Sequence, residues 1–119
     1  MPRTELYTDA SHEEALDAVA EACKPAGFHI VSEGKRKLTV QKGSLATSIF
    51  LGAFVVYCNC QVTVERDGDE LCIDFEWGTT WWQGIFGPMR TKTAMNQLID
   101  HVCDILEDEG REIMERLDR

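Results

Sequence analysis

Positive charge, proline and long apolar runs are all scarce in this sequence. Twelve Lys and Arg stand against 21 Asp and Glu, a formal charge of −9, and the isoelectric point is near 4.7. Nucleic acid and anionic membrane both require a positive surface, so neither is an expected partner. The longest nearly apolar stretch, Ile49 to Cys58, includes Gly52 and is about half of the ~20 residues that span a bilayer. No basic segment followed by an apolar one opens the chain, so no signal peptide is expected. Neither G-x-S-x-G, nor H-E-x-x-H, nor a phosphate-binding glycine pattern occurs. No catalytic residue and no cofactor are therefore expected.

Cysteine is present but unpatterned. Cys23, Cys58, Cys60, Cys72 and Cys103 are odd in number, and Cys58-Asn59-Cys60 is C-x-C rather than C-x-x-C. That argues against a disulfide framework and a zinc knuckle. The thiols read as small buried apolar groups in a reducing cytoplasm, with no metal bound. Hydrophobic residues at 44% and charged residues at 28% are ordinary globular composition. At 119 residues the expectation is a single domain spanning 1–119.

What is present is strong patterning. Thr4 to Thr8 reads as a short strand anchored by Leu6 and Tyr7. Ser11-His12-Glu13-Glu14 is a capping box, and Leu16, Val19, Ala20 and Cys23 follow at helical spacing until Lys24-Pro25-Ala26-Gly27. Phe28 to Ser32 and Lys37 to Gln41 read as a hairpin, with Ile30 opposite Leu38 and Phe28 opposite Val40. Val56, Cys58, Cys60, Val62 and Val64 alternate with polar residues. After Asp67-Gly68 the alternation resumes as Leu71, Ile73, Phe75 and Trp77. A two-residue Asp-Gly turn would place Val64 opposite Leu71 and Val62 opposite Ile73. Ser44 to Leu51 reads as a short helix in preference to an irregular strand. Met89 to Asp108 is helical, with Met95, Leu98, Val102, Ile105 and Leu106 on one stripe. Ile113 and Leu117 carry an apolar stripe onward, so 109–119 is expected as a helical extension.

Clean alternation means one wet sheet face and one buried face, which two amphipathic helices can cover. The expected fold is α+β: a two-layer sandwich, an antiparallel sheet of four to five strands on two helices. In its element order, β-α-β-β-(short α or β)-β-β-α, the chain resembles helix-grip and TATA-binding-protein-like domains. With a helix at Ser44 to Leu51 it also resembles the acidic secretion-chaperone fold.

One segment breaks the alternation. Thr79 to Met89 places Trp81, Trp82, Ile85 and Phe86 between a strand and a helix. They either plug the open end of the layers or form an exposed patch for a partner chain or apolar ligand. Gly84-x-x-Gly87 with Arg90 and Lys92 permits an anion site at a helix start, although turn glycines and a helix-start proline explain the same residues. Asp74 and Glu76 share the wet face with Asn59 and Gln61, and His29 falls in the same set; these read as a solvated strand face. His101, Asp104 and Asp108 read as a solvated helix flank. The expectation is a non-catalytic binding or scaffold domain acting on a protein partner or on itself. The alternatives are a helix-grip carrier of a small apolar ligand and an acidic secretion-type chaperone or adaptor.

Overall fold

Alternation along each strand decides which side is buried. In Thr4-Glu5-Leu6-Tyr7-Thr8 every second side chain is buried, Thr4, Leu6 and Thr8 completely. The same period runs through Cys58, Cys60, Val62 and Val64, and through Leu71, Ile73, Phe75 and Trp77. All of these point toward two helices on one side of the sheet. The computed structural model describes residues 2–43, 58–78 and 87–119, the side chains of 88–90 excepted. Its elements are β1 (Arg3–Thr8), α1 (His12–Ala26), β2 (Phe28–Glu33), β3 (Lys37–Lys42), β4 (Cys58–Asp67), β5 (Glu70–Trp77), α2 (Gly87–Asp108) and β6 (Ile113–Asp118). The strands form one sheet in the order β2-β3-β4-β5-β1-β6, each neighbouring pair antiparallel. The α+β class and the helix-covered antiparallel sheet are as expected. The described sheet has six strands rather than four or five, and the element order closes on a strand. Ser44 to Leu51 lies outside the described residues.

Helix α1 starts where its chemistry dictates. The Ser11 hydroxyl accepts from the Glu14 amide at 3.1 Å, and the Glu14 carboxylate accepts from the Ser11 amide at 3.2 Å. Pro25 sits inside the last turn, and the stop is Gly27, at φ 79°. The buried face is Ala15, Ala18, Val19, Ala22, Cys23 and Ala26. Leu16 is only partly buried against the core.

Both hairpins keep the expected face but sit two residues from the expected register. Val62 is opposite Phe75 and Val64 opposite Ile73, so the turn centres on Gly68-Asp69. Only Gly68 in that turn has a positive φ, 64°. A turn centred on Asp67-Gly68 would force Asp67 into the left-handed region as well, whereas placing Gly first avoids this. In the first hairpin Ile30 is opposite Val40 and Phe28 opposite Lys42, with a bulge between Ile30 and Ser32. The turn is longer than expected because it is tied at both ends. Gly34 N–H donates to the Lys37 carbonyl at 2.7 Å, and Val64 N–H donates to the Arg36 carbonyl at 2.9 Å.

The helical extension expected at 109–119 is instead a strand. Gly110 has φ 84°. Its N–H donates to the Glu107 carbonyl at 3.0 Å, and Arg111 N–H donates to the Leu106 carbonyl at 2.9 Å. These two bonds are a Schellman motif, which ends a helix rather than weakening it. The chain reverses and β6 pairs along β1. The buried Thr4 and Thr8 hydroxyls hold it there, donating to Asp118 Oδ1 at 2.7 Å and to the Glu112 carbonyl at 2.8 Å. A Cβ at Gly110 would meet nothing within 4 Å, so Gly110→Ala should cost only the left-handed backbone penalty, about 1 kcal/mol. Urea unfolding measures it; no loss would mean the chain end is not held by this turn.

Candidate functional site

The face of the sheet turned away from α1 and α2 gathers charge at its centre. Glu5 on β1 is directly opposite Asp74 on β5, and Tyr7 is opposite Cys72. Two carboxylates facing each other repel, and cations relieve them. Arg3 donates to Asp74 Oδ2. Arg119 Nε lies 2.6 Å from Glu5 Oε1, and the Tyr7 hydroxyl donates to Glu5 Oε2 at 2.8 Å. Arg3, Glu5, Tyr7, Cys72 and Asp74, with those of the β4 residues 63–67 that face them, bound a concavity of about 460 Å³.

The electrostatics separate the two carboxyls. The Tyr7 hydrogen bond, with help from Arg119 and Arg3, holds Glu5 below the usual carboxylate range. Burial pushes Asp74 above that range and outweighs the contact from Arg3, while Glu5 and Glu76 add repulsion. Opposed shifts on neighbouring carboxyls are the usual mark of an acid–base pair. Geometry argues otherwise here. Both Glu5 oxygens are engaged, and Asp74 Oδ1 is buried without a partner, so it is not presented to a substrate. Glu5 stabilises the fold above its unfolded-state pKa, and that contribution is lost as pH falls through its lower folded value. Asp74 has the opposite sign: its contribution is present at low pH and lost as pH rises through its raised value.

Cys72 lies 4.0 Å from Glu5 Oε2, and burial pushes its thiol up. All five cysteines are free. Burial pushes Cys23 and Cys103 up to about 11 and Cys58 up to about 12, with Cys60 higher still. None of these is a thiolate nucleophile near neutral pH. A thiol reagent should titrate five groups in denaturant. On the native protein it should reach only Cys72 and Cys103 quickly, at rates that rise with pH. Fast reaction of Cys58 or Cys60 would mean that this end of the sheet opens.

Of the residues singled out from the sequence, Trp81, Trp82, Ile85 and Phe86 lie outside the described residues. Arg90 lies in the first turn of α2. Lys92, two residues on, is exposed beside an open cavity of about 360 Å³ whose walls include Pro2, Thr4, Trp77, Asn96 and Asp118. Arg3 and Arg119 also border it, but they are paired with Asp74 and Glu5 on the open face. Asp74 and Glu76 do share a face, opposite Thr63 and Gln61. His29 falls on the same face but in another row, which runs through Gln41 to Asn59. Among the described residues no group of three or more His, Cys, Asp and Glu could hold a metal ion.

The sheet edges hold what sequence reasoning passed over. Among the described residues, the large hydrophobic side chains left exposed are Val31, at 54%, and Met114, at 43%. Val31 is on β2 and Met114 on β6, the two edge strands. Each sits where the register with the neighbouring strand slips. A bulge re-aims one side chain and interrupts the row of free backbone groups. The available signal was Gly110 followed by Ile113 to Asp118, a helix stop and then a strand.

No helix among the described residues is long and apolar enough to cross a membrane. No family model matches the chain, and no curated protein matches it. Among solved structures it is similar to the crystal structure of the vertebrate conserved region of human METTL16, at 14% identity, covering 74% of this chain and 71% of that one. The TM-score there is 0.39, too low to carry an argument about fold or function.

Proposed function

We propose that this chain is a non-catalytic binding domain that acts through protein–protein contacts and associates with itself. One observation carries the reading: among the described residues, the exposed large apolar side chains, Val31 and Met114, stand on the two edge strands of the sheet. The engaged carboxylates of the open face favour binding over catalysis, and the free thiols suit a reducing cytoplasm. The helix-grip and TATA-binding-protein-like resemblance belongs to the same proposal. Sedimentation velocity over a concentration series tests it. The expected result is a sedimentation coefficient that rises with concentration. Val31→Lys or Met114→Lys should weaken association by about tenfold, since each puts a charge into a contact that buries apolar area. A monomer at every concentration defeats the reading.

The cavity beside Trp77 favours a second reading, a carrier of a small apolar ligand. Its volume of about 360 Å³ is near the lower end for ligand sites. Tryptophan fluorescence titrated with fatty acids and isoprenoids tests it, and a flat response across the series defeats it.

A further inference from the structure

The charge of this chain is unevenly spread. Residues 24–42 carry Lys24, Lys35, Arg36, Lys37 and Lys42 against one acid, Glu33, in a chain of net charge −9. This stretch is the last turn of α1 with β2 and β3, one edge of the sheet. Lys35, Arg36 and Lys37 are exposed at the β2–β3 turn. Lys42 lies at the other end of the same edge, its Nζ 5.9 Å from the centre of the Phe28 ring. Among the described residues, the ion pairs involve none of these five cations. The opposite edge has the opposite sign. Residues 100–118 hold eight acids against Arg111 and Arg116, and both arginines are taken, by Glu14 and by Asp100. Glu107, Asp108 and Glu109 are exposed where α2 turns into β6.

Resting on the self-association proposed above, we infer that copies dock head to tail, the basic β2–β3 edge of one against the acidic α2–β6 edge of the next. The occupant of each edge is a second copy of this chain because the chain carries both halves of the complement. Each edge also offers one exposed apolar side chain, Val31 on the basic side and Met114 on the acidic side. The bulges at these positions break the backbone row, so side chains make the contact. Two different surfaces meeting in this way do not close about a twofold axis, and growth continues into a ring or a filament. At about 0.15 M salt, the repulsion between two negative molecules is screened beyond ~8 Å while touching charges are not; near 1 M the contacts are screened as well.

The test is sedimentation velocity on the full chain, with circular dichroism confirming that each variant folds. The wild type should form species larger than dimers at about 0.15 M salt and dissociate near 1 M. Lys35→Glu with Lys37→Glu, and separately Glu107→Lys with Asp108→Lys, should each weaken association by about tenfold or more, because like charges then face each other. Mixing the two variants, or combining all four changes in one chain, should restore it. A wild type that is monomeric at every salt concentration overturns the self-association reading itself. A wild type that associates but is indifferent to either reversal, or is not rescued by the combination, overturns the charged-edge contact and leaves that reading standing. An associating wild type that stops at a dimer overturns the head-to-tail geometry.

Discussion

Phe75→Ala is expected to cost about 3–5 kcal/mol of folding stability, the range for deleting a buried aromatic ring. Phe75 heads the fully buried side chains by volume and is 0% exposed. It lies mid-sheet on β5, between Val62 of β4 and Thr4 of β1. Strands on both sides and helices above leave little room for the site to collapse into the space. A typical domain has only about 5–15 kcal/mol to lose, so the urea midpoint should fall by a large fraction. A loss below about 1 kcal/mol would mean that Phe75 faces water and the sheet is read inside out.

Ala22→Leu is expected to destabilise by about 3 kcal/mol, the upper part of the overpacking range. Leucine is the more hydrophobic residue, so a transfer argument alone predicts the opposite sign. Ala22 is 0% exposed, on the alanine face of α1 that packs against α2 and the sheet. Small side chains there let the helix backbone approach its neighbours closely. Three extra carbons must push α1 off α2 or off β4. Thermal unfolding with a folded control at an exposed position, Glu21→Leu, separates the two effects. A neutral Ala22→Leu would show that α1 is free to shift.

The alternation of strand residues made faces legible but not absolute register. Moving a hairpin by two residues leaves every side chain on the same side, so Val62 and Phe75 could be assigned to one face without being seen as partners. Turn chemistry settles the difference, through the one residue that tolerates a positive φ. The inward face of α1 was partly hidden for another reason. Leu16 is the obvious hydrophobe of that helix, yet the packed face is alanine, whose weak apolar signal carries little periodicity. β6 was missed because Ile113 and Leu117 fit a helical stripe as well as a strand, and Gly110 was read as a blemish rather than a terminator. The open-face cluster depends on Arg3, Glu5, Asp74 and Arg119 meeting across three strands. No local pattern reports contacts between positions so far apart in sequence.

The position of β1 has a consequence for how the chain folds. It lies between β5 and β6, and its side-chain bonds reach 71 residues to Asp74 and 114 residues to Asp118. Such a strand gains nothing until the distant β5 exists, so loop-closure entropy is spent before that pairing forms. On a ribosome, the segment from Arg3 to Thr8 would wait unpaired until β5 is synthesised, and its other side until β6 is. Without residues 112–118, the buried hydroxyls of Thr4 and Thr8 lose their acceptors and β1 becomes an unprotected edge. The residues that cover β1 are thus made after every other strand of the sheet, and the sheet is most open to unwanted pairing just before they appear.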